Sequence, residues 1–338
     1  MKKTAIVIGL GGMGLRHIKA LKSLNIKIIA VCDKKKDKLN SIKLEKIKKT
    51  TNYKELLKID SDIVCISSNT KSRTKIFEDF FLKSKINKIL VEKPLGSSFK
   101  KCLKFRLLVK RNLANKRVFV NTFRTLSPNI KKIKSIFKKR KEKITHISIH
   151  SPSAGLGNMG SIFFHLSNYF IEEKPISVNC WIDKTGTKNP RGREFLDPGG
   201  FGVVRYKKNK KVFFDLSENT ALPYKIILKS QNLQLSFDEI NSEFVLEERP
   251  KILRNRPNYW YLYQPKITKI KSLNKYDVVK LTRLSLKELF KTSRFKSNLE
   301  ESIKSMEIVF GCHASKYLSK SVKIPLNKKF HKIDINFP

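Results

Sequence analysis

Three glycines at fixed spacing, a lysine between an acid and a proline, and a histidine on a polar stripe are the residues here best placed to do chemistry. The glycines are Gly9, Gly11 and Gly14, in the stretch IGLGGMGLRH. They follow the β-branched run Ile6-Val7-Ile8 directly, the Gly-x-Gly-x-x-Gly pattern of a strand that turns into a helix. Gly9 permits the tight turn, Gly11 lets the backbone approach a pyrophosphate, and Gly14 lets the helix pack close to the strand. The pyrophosphate then meets the unpaired N–H groups and the positive dipole end of a helix. A second run, KIIAVCD, ends in Asp33, 19 residues after Gly14, the distance at which an acid reaches the adenosine ribose hydroxyls. A carboxylate there favours NAD, because it accepts from the 2′-hydroxyl and repels a 2′-phosphate, while Lys34 and Lys35 pull toward NADP.

The lysine is Lys93, in Glu92-Lys93-Pro94 after the apolar run KILV. Open α/β sheets gather their ligand-binding groups at such strand ends. An ammonium there can hydrogen-bond a reacting hydroxyl and stabilise developing alkoxide charge, and Pro94 restricts Lys93 to extended or turn backbone. The histidine lies in GLGNMGSIFFHLSNYF, which reads as a helix from about Met159. Asn158, Ser161, His165 and Asn168 then share one face, and Ile162, Phe163, Phe164, Leu166 and Phe170 make the rest apolar. Such a stripe either is hydrogen-bonded internally or lines a cavity.

Weaker signals follow. Asn121 and Arg124 come just after RVFV, and an arginine there suits a carboxylate or phosphate. Arg191 and Arg193 lie in a long loop that faces either solvent or the cleft. The aromatic stretch Tyr259-Trp260-Tyr261-Leu262-Tyr263 suits packing or subunit contact better than stacking on a sugar.

The elements that must position these residues alternate, strand with helix, through the first 120 residues. After the Asp33 strand come a helix near Asp37 to Ile47, a helical turn at Tyr53 to Leu57, a strand DIVCIS and a helix from Thr74 to Leu82. The strands KILV and RVFVN follow, with a helix between them. This predicts an α/β fold with an open, mostly parallel, doubly wound sheet over 1–120. From Gly199 the pattern changes to alternating runs separated by turn residues: GFGVVRYKKNKKVFFDLSE, YKIILKSQNLQLSFDE and SEFVLEE. These are antiparallel hairpins of a second, α+β domain over 121–338, closed by a helix of about 298–318 and the return VKIPL.

Composition limits the function classes. The 338 residues, 40% of them hydrophobic, suit two domains, and no apolar stretch approaches the ~20 residues of a membrane span. The opening MKKTAIVIGL is broken by glycines, Arg16 and His17 before any small-x-small site, which argues against a secretory signal. The five cysteines are scattered, form neither a disulfide framework nor a zinc site, and suit a reducing cytoplasm. A net charge of +45 draws polyanions, but the lysines are spread along the chain, so weak, salt-sensitive binding is expected rather than specific nucleic-acid recognition.

Taken together, GLGGMG, the acid after the second strand, EKPL, the histidine helix, the antiparallel sheet and the closing V-x-I-P-L resemble the Gfo/Idh/MocA oxidoreductases over nearly the whole chain. The resemblance implies an NAD(P)-dependent dehydrogenase or reductase acting on a CH–OH carbon of a sugar, cyclitol or sugar nucleotide, with surface-polysaccharide pathways as one setting. It implies cofactor contacts from Gly9, Gly11, Gly12, Met13, Gly14, Asp33, Ser67, Asn69 and Glu92. It places Lys93 beside the substrate, makes His165 the general acid/base, and adds Asn121, Arg124, Ser161 and Asn168 to the substrate side. It also implies a homodimer or homotetramer built on the open sheet. Two positions depart from the family pattern: Ser161 stands where an acid precedes the histidine by four residues, and SSNTKSR carries Arg73 where the family has a histidine. Ser161 favours a rival reading as a silent dinucleotide-binding regulator, and the charge of +45 favours a polyanion-binding protein.

Overall fold

The computed structural model of the chain describes residues 2–337 apart from 112–115, 153–154, 184–188, 190, 193, 219, 239, 241–242, 259 and 292–294. Arg193 and Tyr259 therefore lie outside the described residues.

Six short strands, β1 (Thr4–Ile8), β2 (Lys27–Cys32), β3 (Lys48–Thr50), β4 (Ile63–Ile66), β5 (Lys88–Val91) and β6 (Arg117–Val120), form a parallel sheet in the order β3-β2-β1-β4-β5-β6. Runs such as AIVI and IVCI are apolar at consecutive positions because both faces of the sheet are covered. The covering helices include α1 (Gly12–Lys22), α2 (Lys36–Asn40), α3 (Thr70–Lys83) and α4 (Phe99–Arg111).

Register gathers the chemistry. Ile8 pairs with Cys32 and Ile66, Ile66 with Val91, and Val91 with Val120, so five strands end level. The residues that follow, Gly9, Asp33, Ser67, Glu92 and Asn121, emerge side by side along one sheet edge. Their backbone N–H groups continue the ladder: Ser67 donates to the carbonyl of Ile8, Glu92 to Ile66 and Asn121 to Val91.

The helix expected from Asp37 to Ile47 is shorter. It stops at Asn40 with Ser41 as its C-cap, and residues 48–50 instead pair parallel with β2. The helix does not run on to Ile47, and Lys46 adopts φ +53°, outside the right-handed helical region. Conversely, α3 begins at Thr70, four residues early, because Asn69 caps it by accepting from the Ser72 N–H.

The second half builds a nine-stranded sheet from β7 (His146–His150), β8 (Pro175–Ile182), β9 (Gly200–Tyr206), β10 (Lys211–Asp215), β11 (Lys225–Lys229), β12 (Leu233–Asp238), β13 (Glu243–Glu248), β14 (Lys266–Lys271) and β15 (Val322–Lys323). It is antiparallel except where β7 runs parallel to β10. The chain's other helices are α5 (Pro128–Lys139), α6 (Ser161–Ile171), α7 (Val278–Phe290) and α8 (Leu299–Leu318). α6 and α8 pack on one face of this sheet, and the other face presents Trp181, Phe201 and Phe213. α7 returns to the first sheet, where Leu286 and Leu289 join a core with Ala5, Val7 and Leu21. No helix among the described residues is long and apolar enough to cross a membrane.

A buried ion pair ties the first helix to the Lys93 loop. His17 on α1 is fully buried, and its Nε2 lies 2.7 Å from Oε1 of Glu92. Asn121 donates to the same oxygen at 2.6 Å. Burial opposes charge on the His17 ring, but the Cys65 side chain and the Glu92 carboxylate beside it outweigh that and push its pKa up to about 10. Burial likewise opposes ionisation of Glu92, and the contacts from His17 and Asn121 outweigh it, so its pKa is lowered.

Glu92→Leu should therefore cost about 3–5 kcal/mol in denaturant titration, and the double variant His17→Leu/Glu92→Leu much less than the sum of the single losses. The His17 contribution is complete below its ordinary value of 6.5 and fades as pH rises toward about 10. The Glu92 contribution is complete above 4.5 and fades as pH falls through its lowered folded value. Titrations across pH should accordingly show the pair contributing most between 4.5 and 6.5.

Candidate active site

The glycine loop has the shape of a phosphate cradle. Gly9 adopts φ +86°, and a Cβ on it would lie 2.7 Å from the backbone of Ser67. A Cβ on Gly14 would lie 1.8 Å from the Gly9 carbonyl oxygen, so helix and strand approach as closely as backbone allows. At Gly12, by contrast, a side chain would meet nothing within 4 Å, and at Gly11 only the Lys38 ammonium at 4.0 Å. This space opens onto the first turn of α1, which has no side-chain cap and no acidic residue. A dinucleotide pyrophosphate fits that combination of open volume, unclaimed N–H groups and nearby lysine.

The rest of the edge is organised around the same loop. Asp33 accepts from the Leu10 N–H at 2.7 Å and the Lys35 N–H at 2.9 Å, and the Lys38 ammonium stands 3.9 Å away. Ser67 donates its hydroxyl to the carbonyls of Ile8 and Gly9, so it braces the loop. Asn69 serves as the α3 cap, and the Met13 sulfur accepts from Arg16 at 3.4 Å. The Glu92 carboxylate is spent on His17, Asn121 and the Lys93 N–H. The Asn121 side-chain oxygen and the Ser68 hydroxyl are buried along this edge with no hydrogen-bond partner among the described residues.

Lys93 is half-buried, and its ammonium donates to the Asn158 side-chain oxygen at 2.6 Å and the Asn158 carbonyl at 2.9 Å. Burial pushes its pKa down to about 7; Arg191 and Arg124 add to the lowering, while Glu92 and Asp197 oppose it. Asn158 sits in a π-helical turn, residues 155–160, that runs into α6. Ser161 donates to the Asn158 carbonyl at 3.3 Å, so it joins the Lys93 side of the site. His165 lies one turn further on, buried, with Nε2 3.3 Å from the Thr122 hydroxyl. Burial pushes its pKa down to about 4, so the ring is neutral at neutral pH.

The polar stripe is therefore divided. Asn158, Ser161 and His165 face the ends of β5 and β6, whereas Asn168 accepts from the Tyr206 hydroxyl on β9 at 2.8 Å and helps hold α6 to the second sheet. Arg124 is buried, donates to the Tyr276 hydroxyl at 3.0 Å and lies 5.3–5.7 Å from the rings of Phe123, Tyr224 and Tyr276. Arg191 is exposed, yet close enough to depress the pKa of Lys93. Trp260, Tyr261 and Leu262 are exposed in the loop between β13 and β14.

Arg73 resolves the altered loop after β4. Its buried guanidinium donates to the carbonyls of Pro94 and Ser68, joining the Lys93 loop to the glycine-facing loop. Residues with no clear sequence signal complete the site. Thr122 accepts from Asn298 at 2.8 Å, and Asp197 accepts from the N–H groups of Gly157 and Asn158. In the sequence Asp197 reads only as the start of a turn, DPGG.

Comparison with known proteins follows these observations. Residues 3–122 match the family model described as "Oxidoreductase family, NAD-binding Rossmann fold". No curated protein sequence matches the chain. The fold resembles myo-inositol 2-dehydrogenase from Lactobacillus plantarum at 17% identity, covering 96% of this chain and 100% of that one, with a TM-score of 0.73. It resembles a levoglucosan dehydrogenase solved with NADH and L-sorbose at 13% identity, covering 97% and 100%, TM-score 0.76. An Agrobacterium radiobacter oxidoreductase solved with NAD+, L-tartaric acid and magnesium is similar at 13% identity, covering 96% and 99%, TM-score 0.73.

Asp33→Ala tests the ribose contact expected of this carboxylate: NAD binding should weaken about tenfold, the effect of one lost hydrogen bond to a charged group. NADP binding should weaken less or improve. Calorimetric titration of both cofactors checks this, with the wild type binding NAD more tightly.

Proposed function

We propose that the chain, whose residues 3–122 match the model of the Gfo/Idh/MocA oxidoreductase family, is an NAD-dependent dehydrogenase of a sugar-like CH–OH group. The observation that carries the reading is Lys93: a half-buried ammonium at the strand edge next to the glycine loop, with its only described hydrogen-bond acceptors on Asn158. When bound, NAD supplies the hydride acceptor. Gly9 to Gly14 and Asp33 would hold it. Lys93 donates to the substrate oxygen and stabilises alkoxide character as the carbon–hydrogen bond breaks. His165, neutral and next to Thr122, takes the hydroxyl proton.

We further propose that the substrate carries an acidic group, as an acidic sugar or a sugar nucleotide does. Arg124 and Arg191 both bear on Lys93, and three cationic side chains around one reacting position favour an anion. The resemblance to a fold solved with tartaric acid supports a hydroxy-acid ligand. Surface-polysaccharide synthesis is one pathway that uses such substrates.

Oxidation needs Lys93 charged and His165 neutral, so kcat/KM should rise through about pH 4 and fall through about pH 7. Lys93→Ala should retain NAD affinity and lose at least about a hundredfold in turnover, and Lys93→Arg should remove the alkaline fall. A panel of inositols, aldoses and uronic acids, followed by NADH absorbance, checks this. NAD binding without turnover on any of them would instead support the silent binding role that Ser161 favours.

The open face of the second sheet supports a homo-oligomer. Trp181 and Phe201 stack at 5.3 Å while 54% and 47% exposed, and Phe213 on the neighbouring strand is 42% exposed. Exposed aromatics in one patch mark contact surfaces. Light scattering should give a dimer or tetramer at micromolar concentration, and Trp181→Lys should shift it toward monomer.

A further inference from the structure

We propose that Asp197 is a positioning carboxylate on the Lys93 side of the site: from the loop between β8 and β9 it pins the 155–160 turn and so positions Asn158 against Lys93. The inference rests on reading Lys93 as the group that meets substrate, and it adds a positioning residue that the α6 pattern does not contain.

The geometry is closed at every link. One Asp197 oxygen accepts from the Gly157 N–H at 2.7 Å and the other from the Asn158 N–H at 2.8 Å. A carboxylate bridging two successive N–H groups fixes the backbone between them. That backbone carries the Asn158 carbonyl and side-chain oxygen, which lie 2.9 and 2.6 Å from the Lys93 ammonium. Ser161 donates to the same carbonyl, so the serine finishes the arrangement that Asp197 starts.

Gly155 is the independent sign that the turn is built around this carboxylate. It adopts φ +73°, and a Cβ there would lie 2.2 Å from the Asp197 carboxyl carbon. Only glycine leaves room for the acid and accepts that backbone conformation. On the other side, a Cβ on Gly157 would strike the Phe337 ring at 2.2 Å, so the turn has no slack.

The charges facing Lys93 are Glu92 at its own strand end, Arg124 after β6, and Arg191 and Asp197 from the loop before β9. Two are cations and two are anions. Glu92 is spent on His17 and Asn121, which leaves Asp197 as the second negative charge that keeps Lys93 protonated. Burial raises the Asp197 pKa to about 6 against the pull of its two N–H partners and of Lys93 and Arg191, so it is mostly ionised at neutral pH.

The test reads Lys93 directly in the full-length protein with NAD present. Acetic anhydride labelling of the Lys93 peptide is followed by mass spectrometry from pH 5 to 10, the other lysine peptides serving as internal standards. Asp197→Asn should lower the Lys93 midpoint by about half a pH unit or more, as removal of a nearby opposite charge does. The alkaline limb of kcat/KM should move down with it. A folded Asp197→Asn variant with an unchanged Lys93 midpoint would overturn the proposal. Should that variant fail to fold, Asn158→Ala takes its place: it keeps the Asp197 backbone contacts, removes the side-chain acceptor, and must also lower the midpoint. An unchanged midpoint there overturns the route through Asn158. Labelling needs no substrate, so loss of the dehydrogenase reading would appear as absent NADH formation with the Lys93 shift still present.

Discussion

Glu92 carries its charge in a buried position, and two other segments of chain must converge to keep it there. His17 comes from the helix that the glycine loop opens, Asn121 from the end of β6, and the Lys93 N–H from the next residue along. An ionised carboxylate left without such partners would be strongly disfavoured. Satisfying it therefore fixes α1 relative to β5 and β6. Since the glycine loop opens α1 and β5 presents Lys93, one buried interaction sets the position of the glycine loop relative to Lys93.

The site beyond it is a balance of burial against charge. Lys93 is taken out of water, which lowers its proton affinity, and is then returned part of the way by Glu92 and Asp197 while Arg124 and Arg191 push in the other direction. The outcome is an amine whose pKa is drawn down to about 7 among two cationic and two anionic side chains. His165 has no such counterweight. Burial alone acts on it, and its ring stays neutral beside the Thr122 hydroxyl. Two groups that read as a simple acid/base pair thus differ in character because one has carboxylates around it and the other does not.

Both departures from the family pattern acquire a physical role in the folded chain. Arg73, where a histidine is expected, ties Pro94 and Ser68 together from inside the protein. Ser161, where an acid is expected, binds the Asn158 carbonyl instead of orienting the His165 ring. Glu92, Ser67 and Asn69 hold backbone and cap helices at the cofactor edge, and Asn168 faces Tyr206 in the second sheet. Residue type marked these positions as site candidates; which partner each one takes is decided by the packing around it.

By itself the sequence determined the parallel sheet, the glycine turn, the acid after β2, the strand end that carries Lys93 and the histidine helix. Each of these is a local pattern: apolar runs of strand length, glycines where a Cβ cannot fit, and polar residues three and four apart on an apolar helix. The short α2 and the added β3 were not legible, because an edge strand is stabilised by the backbone of its neighbour rather than by its own side chains. Nor was the return of α7 to the first sheet, since an amphipathic helix does not say which core it covers. Tertiary structure alone decided that Asp197 meets a turn 40 residues earlier and that His17 meets Glu92 75 residues later. Those contacts depend on register and packing between distant segments, and a buried charge finds its partner in space rather than along the chain.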